Sequence, residues 1–261
     1  DDAAIYFGKF NPIFGQAWDW RNKATGIWGD DFAQQYRVTD MIGFGLLAKI
    51  DLENYGQHKI RLENFFADDT RLSESTITNR GRLRKSDGGA ANNRDLSSFI
   101  LSLQGENIGY LTNLKYNIAF RSLDSATPAV ADEQGFVIGA SYRHNIVSDL
   151  YIEPMVEYAN INNFNSRNIH LLDRDDIPAD VYYFSGAAAL QYKNMDLTLT
   201  YAKSDYDRQF DSDTDAEQFE ISIGYEFNNG IRVQAGRNYL DRLGGADIES
   251  FAIAVTHLYK F

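Results

Sequence analysis

Between Glu220 and Phe227 apolar and polar positions alternate without a slip. Ile221, Ile223, Tyr225 and Phe227 fall on one parity, and Glu220, Ser222, Gly224 and Glu226 on the other. Residues 196–202 repeat the pattern, with Leu197, Leu199 and Tyr201 against Asp196, Thr198 and Thr200. Residues 114–121 set Leu114, Tyr116, Ile118 and Phe120 against Lys115, Asn117, Ala119 and Arg121. An amphipathic helix needs apolar recurrence at three and four residues, so this period predicts strands. About twelve such stretches follow one another: 3–11, 40–52, 58–67, 97–104, 113–122, 135–144, 150–160, 181–193, 196–204, 217–227, 231–240 and 249–261. The short intervals hold NYGQ (54–57), IVSD (146–149), NM (194–195) and NNG (228–230), the last a strong hairpin signal. The long ones are 12–39, 68–96, 123–134, 161–180 and 205–216, with a shorter one at 241–248. A meander with one tight end and one elaborate end is expected, as a single all-β domain over 1–261.

Alternation does not say which face is buried; size does. About eight strands give an interior that side chains can fill, whereas twelve with Leu and Phe inward would enclose a void. The other parity carries Gly43, Gly45, Ala119, Gly139, Ala187, Ala189, Gly224 and Ala252 among charges, a set suited to a crowded, wet lumen. The expected fold is therefore a transmembrane antiparallel up-and-down β-barrel with apolar side chains facing lipid. Strands of this length cross a bilayer, and closure leaves no unpaired edge in hydrocarbon. Tyr158, Tyr182, Tyr192, Tyr225, Phe227, Tyr259 and Phe261 lie toward strand ends, as interfacial girdles require. The predicted pore lining is Lys49, Arg61, Glu63, Lys115, Arg121, Arg143, Glu153, Glu157, Glu220 and Arg232. Bases and acids on this parity nearly balance. A ladder of Arg61, Arg121, Arg143 and Arg232 is expected to face Glu153, Glu157 and Glu220.

The interval 12–39 holds all three tryptophans, Trp18, Trp20 and Trp28, with Arg21, Asp30, Asp31 and Arg37. A connection this long and aromatic is expected to fold into the lumen as a constriction, the alternative being packing on a neighbouring subunit. The final stretch places Phe251, Ile253, Val255, His257, Tyr259 and Phe261 on one parity. Apart from His257, it looks like the C-terminal signal, here Tyr259 and Phe261, that bacterial outer-membrane barrels present to their insertion machinery.

The segments YFGKFNPIFGQAWDW, GIWGDDFAQQYRVTDMIGFG and FFADDTRLSESTITNRGRLRKSDGG resemble porin-like outer-membrane proteins of Gram-negative bacteria. The most specific piece is the Gly-Lys-Phe-Asn-Pro-x-Phe-Gly turn; a related Phe-Gly turn occurs in substrate-selective porins of the phosphate-channel type. The resemblance implies an integral outer-membrane protein and a passive diffusion channel for ions and small hydrophilic solutes. Its expected partners are outer-membrane lipids, those solutes and a homotrimeric assembly. Such families place further strands before this turn. Two readings stay open: a barrel closed by twelve strands, or the C-terminal part of one with about 16–18. A non-conducting structural or adhesive barrel, acting through acidic extracellular loops, is the alternative function.

Composition narrows the chemistry. The 25 Lys and Arg against 37 Asp and Glu give −12, which speaks against nucleic-acid binding, and the absence of Cys removes disulfides and thiolate metal sites. GFGLLA (43–48) matches a dinucleotide pattern through Gly43, Gly45 and Ala48 but sits inside a strand, without the helix that the motif needs. Asp211, Asp213 and Asp215 open like a calcium loop, yet Ala216 and Ser222 stand where Gly and Glu are required. No cofactor is expected beyond loose divalent binding by these loops and Asp173–Asp176. His58, His144, His170 and His257 have no serine placed beside them by spacing, so no catalytic residue is assigned and the protein is not expected to be an enzyme.

Overall fold

The computed structural model describes residues 2–17, 26–74, 82–126, 131–164, 179–208, 214–242 and 245–257. The alternating stretches are strands: β1 (Ala3–Phe10), β2 (Met41–Leu52), β3 (Gly56–Ala67), β4 (Ser98–Ile108), β5 (Leu111–Leu123), β6 (Glu133–Tyr142), β7 (His144–Val147), β8 (Leu150–Phe164), β9 (Ala179–Tyr192), β10 (Met195–Arg208), β11 (Thr214–Glu226), β12 (Ile231–Arg242) and β13 (Ile248–His257). They form one antiparallel sheet in which sequence neighbours pair, only β7 lying off the path against β8. The margins of that sheet are β1 and β13. One short helix, α1 (Asp31–Tyr36), lies in the connection between β1 and β2.

Three details depart from the period-two reading. The strand expected over 135–144 breaks at Arg143, and β7 pairs with β8 through a register shift between Asn145 and Val147. β4 and β5 are joined at Gly109–Tyr110 with an irregularity between Glu106 and Ile108, a tight turn without an Asn-Gly signal. β4, β8 and β10 run past the expected ends at 104, 160 and 204, because backbone pairing continues after the apolar alternation stops. The short connections (53–55, 109–110, 148–149, 193–194 and 227–230) share one end of the sheet, and the long ones share the other.

The two faces invert the arrangement of a water-soluble protein. Ser102, Asn117, Arg121, Ser141, Glu157, Ser185, Thr198, Thr200, Glu220 and Ser222 are buried on the inner face. Leu101, Ile118, Phe136, Ile138, Val156, Leu197, Leu199, Ile221 and Ile223 stand exposed on the outer face. Aromatic side chains border that apolar band. Toward the long connections Phe99–Phe120, Phe136–Tyr158 and Phe184–Tyr201 are ring pairs with centroids 6.0, 5.9 and 6.2 Å apart, continued by exposed Phe219 and Tyr239. Tyr55, Tyr110, Tyr192, Tyr225 and Phe227 are exposed near the short turns.

Candidate pore lining and the loop seated on it

The chain leaves the sheet at Phe10 and returns at Met41, which are register partners, so residues 11–40 are a long hairpin loop. Its two ends are stapled where the Asp40 amide donates to Asn11 Oδ1 at 2.9 Å and Lys9 pairs with Asp40 at 3.1 Å. Between them the described parts of the loop, residues 11–17 and 26–40, lie on the inner face and are held by three carboxylates from three distant strands. Glu63 on β3 accepts from the Ile13 amide at 2.9 Å and the Tyr6 hydroxyl at 2.6 Å. Glu157 on β8 accepts from the Gln16 amide at 2.6 Å, the Ala17 amide at 3.2 Å and the Tyr36 hydroxyl at 2.5 Å. Glu220 on β11 accepts from the amides of Ile27 and Trp28 at 2.6 and 2.8 Å.

Local sequence makes this seating possible. Gly15 and Gly26 sit at φ +83 and +72, and a Cβ on either would fall 2.8 Å from Glu157 Oε1 or 2.2 Å from Glu220 Oε1. Both glycines therefore supply a left-handed turn and room for the carboxylate that binds the amides just beyond. Burial, then the neighbouring Glu157 carboxylate, raise the Tyr36 phenol well above its ordinary value, so it remains a donor.

α1 carries buried Phe32, Ala33 and Tyr36 and packs on β9 and β10. Tyr36 meets Phe14 and Tyr183 at centroid distances of 6.2 and 5.0 Å, and Gln35 Oε1 accepts from the hydroxyls of Tyr183 and Tyr206 at 3.2 and 2.8 Å. Arg121 binds the far side of this cluster. Its guanidinium donates to the Tyr36 carbonyl at 2.6 Å, pairs with buried Glu133, and lies 4.4 Å over the Phe14 ring.

The remaining predicted lining residues are largely paired with one another. Arg143 donates to Glu153 at 2.8 Å and stacks on Tyr151 at 4.4 Å. Buried Arg232 on β12 reaches Asp196 on β10 at 2.9 Å across the intervening strand, because Gly224 leaves space where a Cβ would lie 2.6 Å from the Asp196 carboxylate. Arg61 donates to Gln104. Lys49 and Lys115 are exposed on the inner face, and Lys59 is 3.5 Å from Glu106. Gln16, Lys59, Gln104 and Lys115 line a cavity of about 290 Å³ beside the loop.

The expected ladder of arginines facing Glu153, Glu157 and Glu220 is thus not the arrangement present. Arg121, Arg143 and Arg232 are used in local pairs, and Glu157 and Glu220 bind loop amides under the loop instead of facing water. Of the expected constriction residues, Asp30 and Asp31 begin α1, Arg37 donates to Gln34 at 3.2 Å, and Trp28 is anchored through its amide. Trp18, Trp20, Arg21, Tyr259 and Phe261 lie outside the described residues, as do His170 and the loop aspartates 173–176. Among the described histidines, His58 lies 2.8 Å from the Tyr116 hydroxyl and His257 3.0 Å from the Asn229 carbonyl. Sequence reasoning missed Tyr6, Gln16, Tyr36 and Glu133 as members of the site; Asp196 fell on the polar parity, but its pairing with Arg232 was not foreseen. The length and tryptophans of 12–39 pointed the loop into the lumen, but nothing in the sequence marked which amides would meet which carboxylates.

Neither protein-family models nor curated protein sequences match the chain. Solved structures do. The outer-membrane channel DcaP of Acinetobacter baumannii aligns with a TM-score of 0.55 at 12% identity, over 96% of this chain and 70% of that one. An anion-selective porin from Comamonas acidovorans aligns with a TM-score of 0.52 at 14% identity, over 91% of this chain and 63% of that one. OmpT of Vibrio cholerae gives 0.50 at 13% identity, over 93% and 67%. The fold is that of the porin-like outer-membrane β-barrels, and the chain spans about two thirds of the length of these structures.

Proposed function

We propose that this chain is an integral outer-membrane channel for passive diffusion of ions and small hydrophilic solutes, with residues 11–40 as its constriction. The observation that carries the reading is the pairing of an outward apolar band with a loop tied across the polar inner face by Glu63, Glu157 and Glu220. The band has bilayer dimensions. From Tyr192 to Phe184 the strand rises about 26 Å, or about 20 Å after a barrel tilt near 40°, close to the ~25 Å apolar belt of such proteins.

The lumen is near neutral. Arg121–Glu133, Arg143–Glu153 and Arg232–Asp196 cancel locally, and three further carboxylates are satisfied by backbone amides. Lys49, Arg61 and Lys115 remain on one sector of the wall, with Asp51 and Glu226 as the nearest counterweight in number. Weak ion selectivity follows, because permeation responds to charges lining the pore and much less to loop charges beyond a Debye length. Planar-bilayer recordings of the folded protein are expected to give discrete ohmic steps and a small reversal potential across a salt gradient. A folded, heat-modifiable barrel without conductance steps would support the structural or adhesive alternative. Strong selectivity for either sign would overturn the near-neutral lumen.

A further inference from the structure

The loop 11–40 does not cover the inner face evenly. On β8–β11, where its anchors and α1 rest, Glu157, Ser185, Thr198, Thr200 and Ser222 are all 4% exposed or less. On β2–β5, toward the short turns, the inner face stays open. Lys49, Asp51 and Lys115 are exposed there and Arg61 is half-buried. The side chains of Lys59 and Glu106 keep 38% and 34% of their surface. Between this wall and Gln16 of the loop lies the cavity of about 290 Å³. A solute that passes the part of the wall built by this chain therefore passes here.

The open stretch is also where charge is left over. Four bases, Lys49, Lys59, Arg61 and Lys115, stand against two acids, Asp51 and Glu106. Lys49 and Lys59 are register partners, so two ammonium groups lie directly opposite each other on one face, an arrangement that costs stability. Lys59 is 3.5 Å from Glu106, and Arg61 donates to the neutral Gln104. Lys49 and Lys115 make no ion pair among the described residues. The whole lumen counts as near neutral because it includes Arg121–Glu133, Arg232–Asp196 and the carboxylates under the loop. Those groups are buried and out of reach of a passing ion.

We infer that the passage runs off-centre along β2–β5 and that Lys49, Lys59, Arg61 and Lys115 are its specificity-determining residues, drawing small anions in preference to cations. The sign of the selectivity rests on the channel reading above; the uncovered wall does not. Two net charges about 8 Å from an ion, screened over about one Debye length, favour an anion about twofold and disfavour a cation about equally. A chloride-to-potassium permeability ratio of about two to five is therefore expected at about 0.1 M salt, falling to about one at about 1 M. This stays within weak selectivity.

The chain contains no cysteine, so single introduced cysteines report access directly. In the full chain folded in detergent, Lys49→Cys and Lys115→Cys are expected to react readily with a water-soluble methanethiosulfonate. Thr198→Cys and Ser222→Cys should react at least about a hundredfold more slowly. Equal rates at the four positions overturn the route. In planar bilayers, Lys49→Glu or Lys115→Glu leaves three bases against three acids and should bring the permeability ratio to about one. The double variant should reverse it, and Lys203→Glu, the same change on the outer face, should leave it as in the parent. A parent that conducts without favouring anions at low salt, or variants at 49 and 115 that behave like Lys203→Glu, overturn the assignment of these residues. The two readings fail separately. Folded protein that labels as expected but passes no current removes the channel and leaves the uncovered wall, whereas steady current with equal labelling removes the route alone.

Discussion

Replacing Glu157 by alanine takes away the shared acceptor of the Gln16 amide (2.6 Å), the Ala17 amide (3.2 Å) and the Tyr36 hydroxyl (2.5 Å). A hydrogen bond to a charged group contributes about 1.5–3 kcal/mol, and a buried donor left unmet costs about 1–3 kcal/mol. The Ala17 bond is long, and water entering the vacated volume meets part of the demand. Two good bonds at about 1.5–2 kcal/mol each leave about 3–4 kcal/mol lost to the seated loop. At about 1.4 kcal/mol per decade, the unseated population rises by about two to three orders of magnitude. Glu157→Gln keeps the volume but turns an amide N–H toward at least one loop donor, so it should be nearly as severe. Amide hydrogen exchange reads this directly: Gln16 and Ala17 should exchange about a hundredfold faster, with β8 and β9 unchanged. Residues 27 and 28, held separately by Glu220, should respond much less. Single-channel currents should become larger and noisier. If exchange at Gln16 and Ala17 is unaltered in a folded Glu157→Ala protein, the carboxylate does not hold the loop and the reasoning fails.

Gly26→Ala forces a left-handed alanine, about 1–2 kcal/mol by itself, and drives its methyl into Glu220, so exchange at Ile27 and Trp28 should accelerate; unchanged protection there would contradict the contact. Arg232→Met takes the guanidinium away from buried Asp196, at about 3–5 kcal/mol, whereas the double variant Arg232→Met, Asp196→Leu should recover most of that stability in urea unfolding from lipid vesicles. Equal losses in the single and double variants would argue against a coupled pair. Asp124, just past β5, is held below the ordinary carboxylate range by donation from Ser97, with the Asp132 carboxyl, Asn93 and the Ser125 amide adding to it against burial. Its contribution to the fold of residues 93–98 should be fully present above the unfolded value near 3.9 and fade as pH falls through the lower folded value. Exchange protection of that segment followed against pH should show this, and Asp124→Asn together with Asp132→Asn should abolish the dependence.

The strands were legible because a sheet with one wet and one lipid-facing side writes its geometry into every second residue, as Ile221 and Ile223 against Glu220 and Ser222 illustrate. The turn at Gly109–Tyr110 and the break at Arg143 were not, since neither carries a local turn signature and both are set by cross-strand register. For the site, parity placed Glu63, Glu157, Glu220, Arg121 and Arg232 on the inner face but said nothing of their partners. Asp196 meets Arg232 two strands away, over Gly224, and no spacing along the chain encodes that approach. Glu133, the partner of Arg121, lay before the expected start of its strand. The decisive ligands of Glu157 and Glu220 are backbone amides, which every residue but proline possesses and no sequence pattern marks. Apolar alternation therefore predicts a wall well and what leans on it poorly.

The positions of the three anchors along the chain also rank them by the length of chain each must close. Ile13 precedes Glu63 by 50 residues, Gln16 precedes Glu157 by 141, and Ile27 precedes Glu220 by 193. The first tie closes a short stretch of chain, whereas the other two each close a stretch about three to four times as long. The wall must be assembled as far as β11 before its obstruction can be tied down. Closing loops of such length is the entropically slow part of folding, and it comes last. Until β8 and β11 are in place the loop is tied at one point of three, so the pairing of those two strands sets when the opening is narrowed.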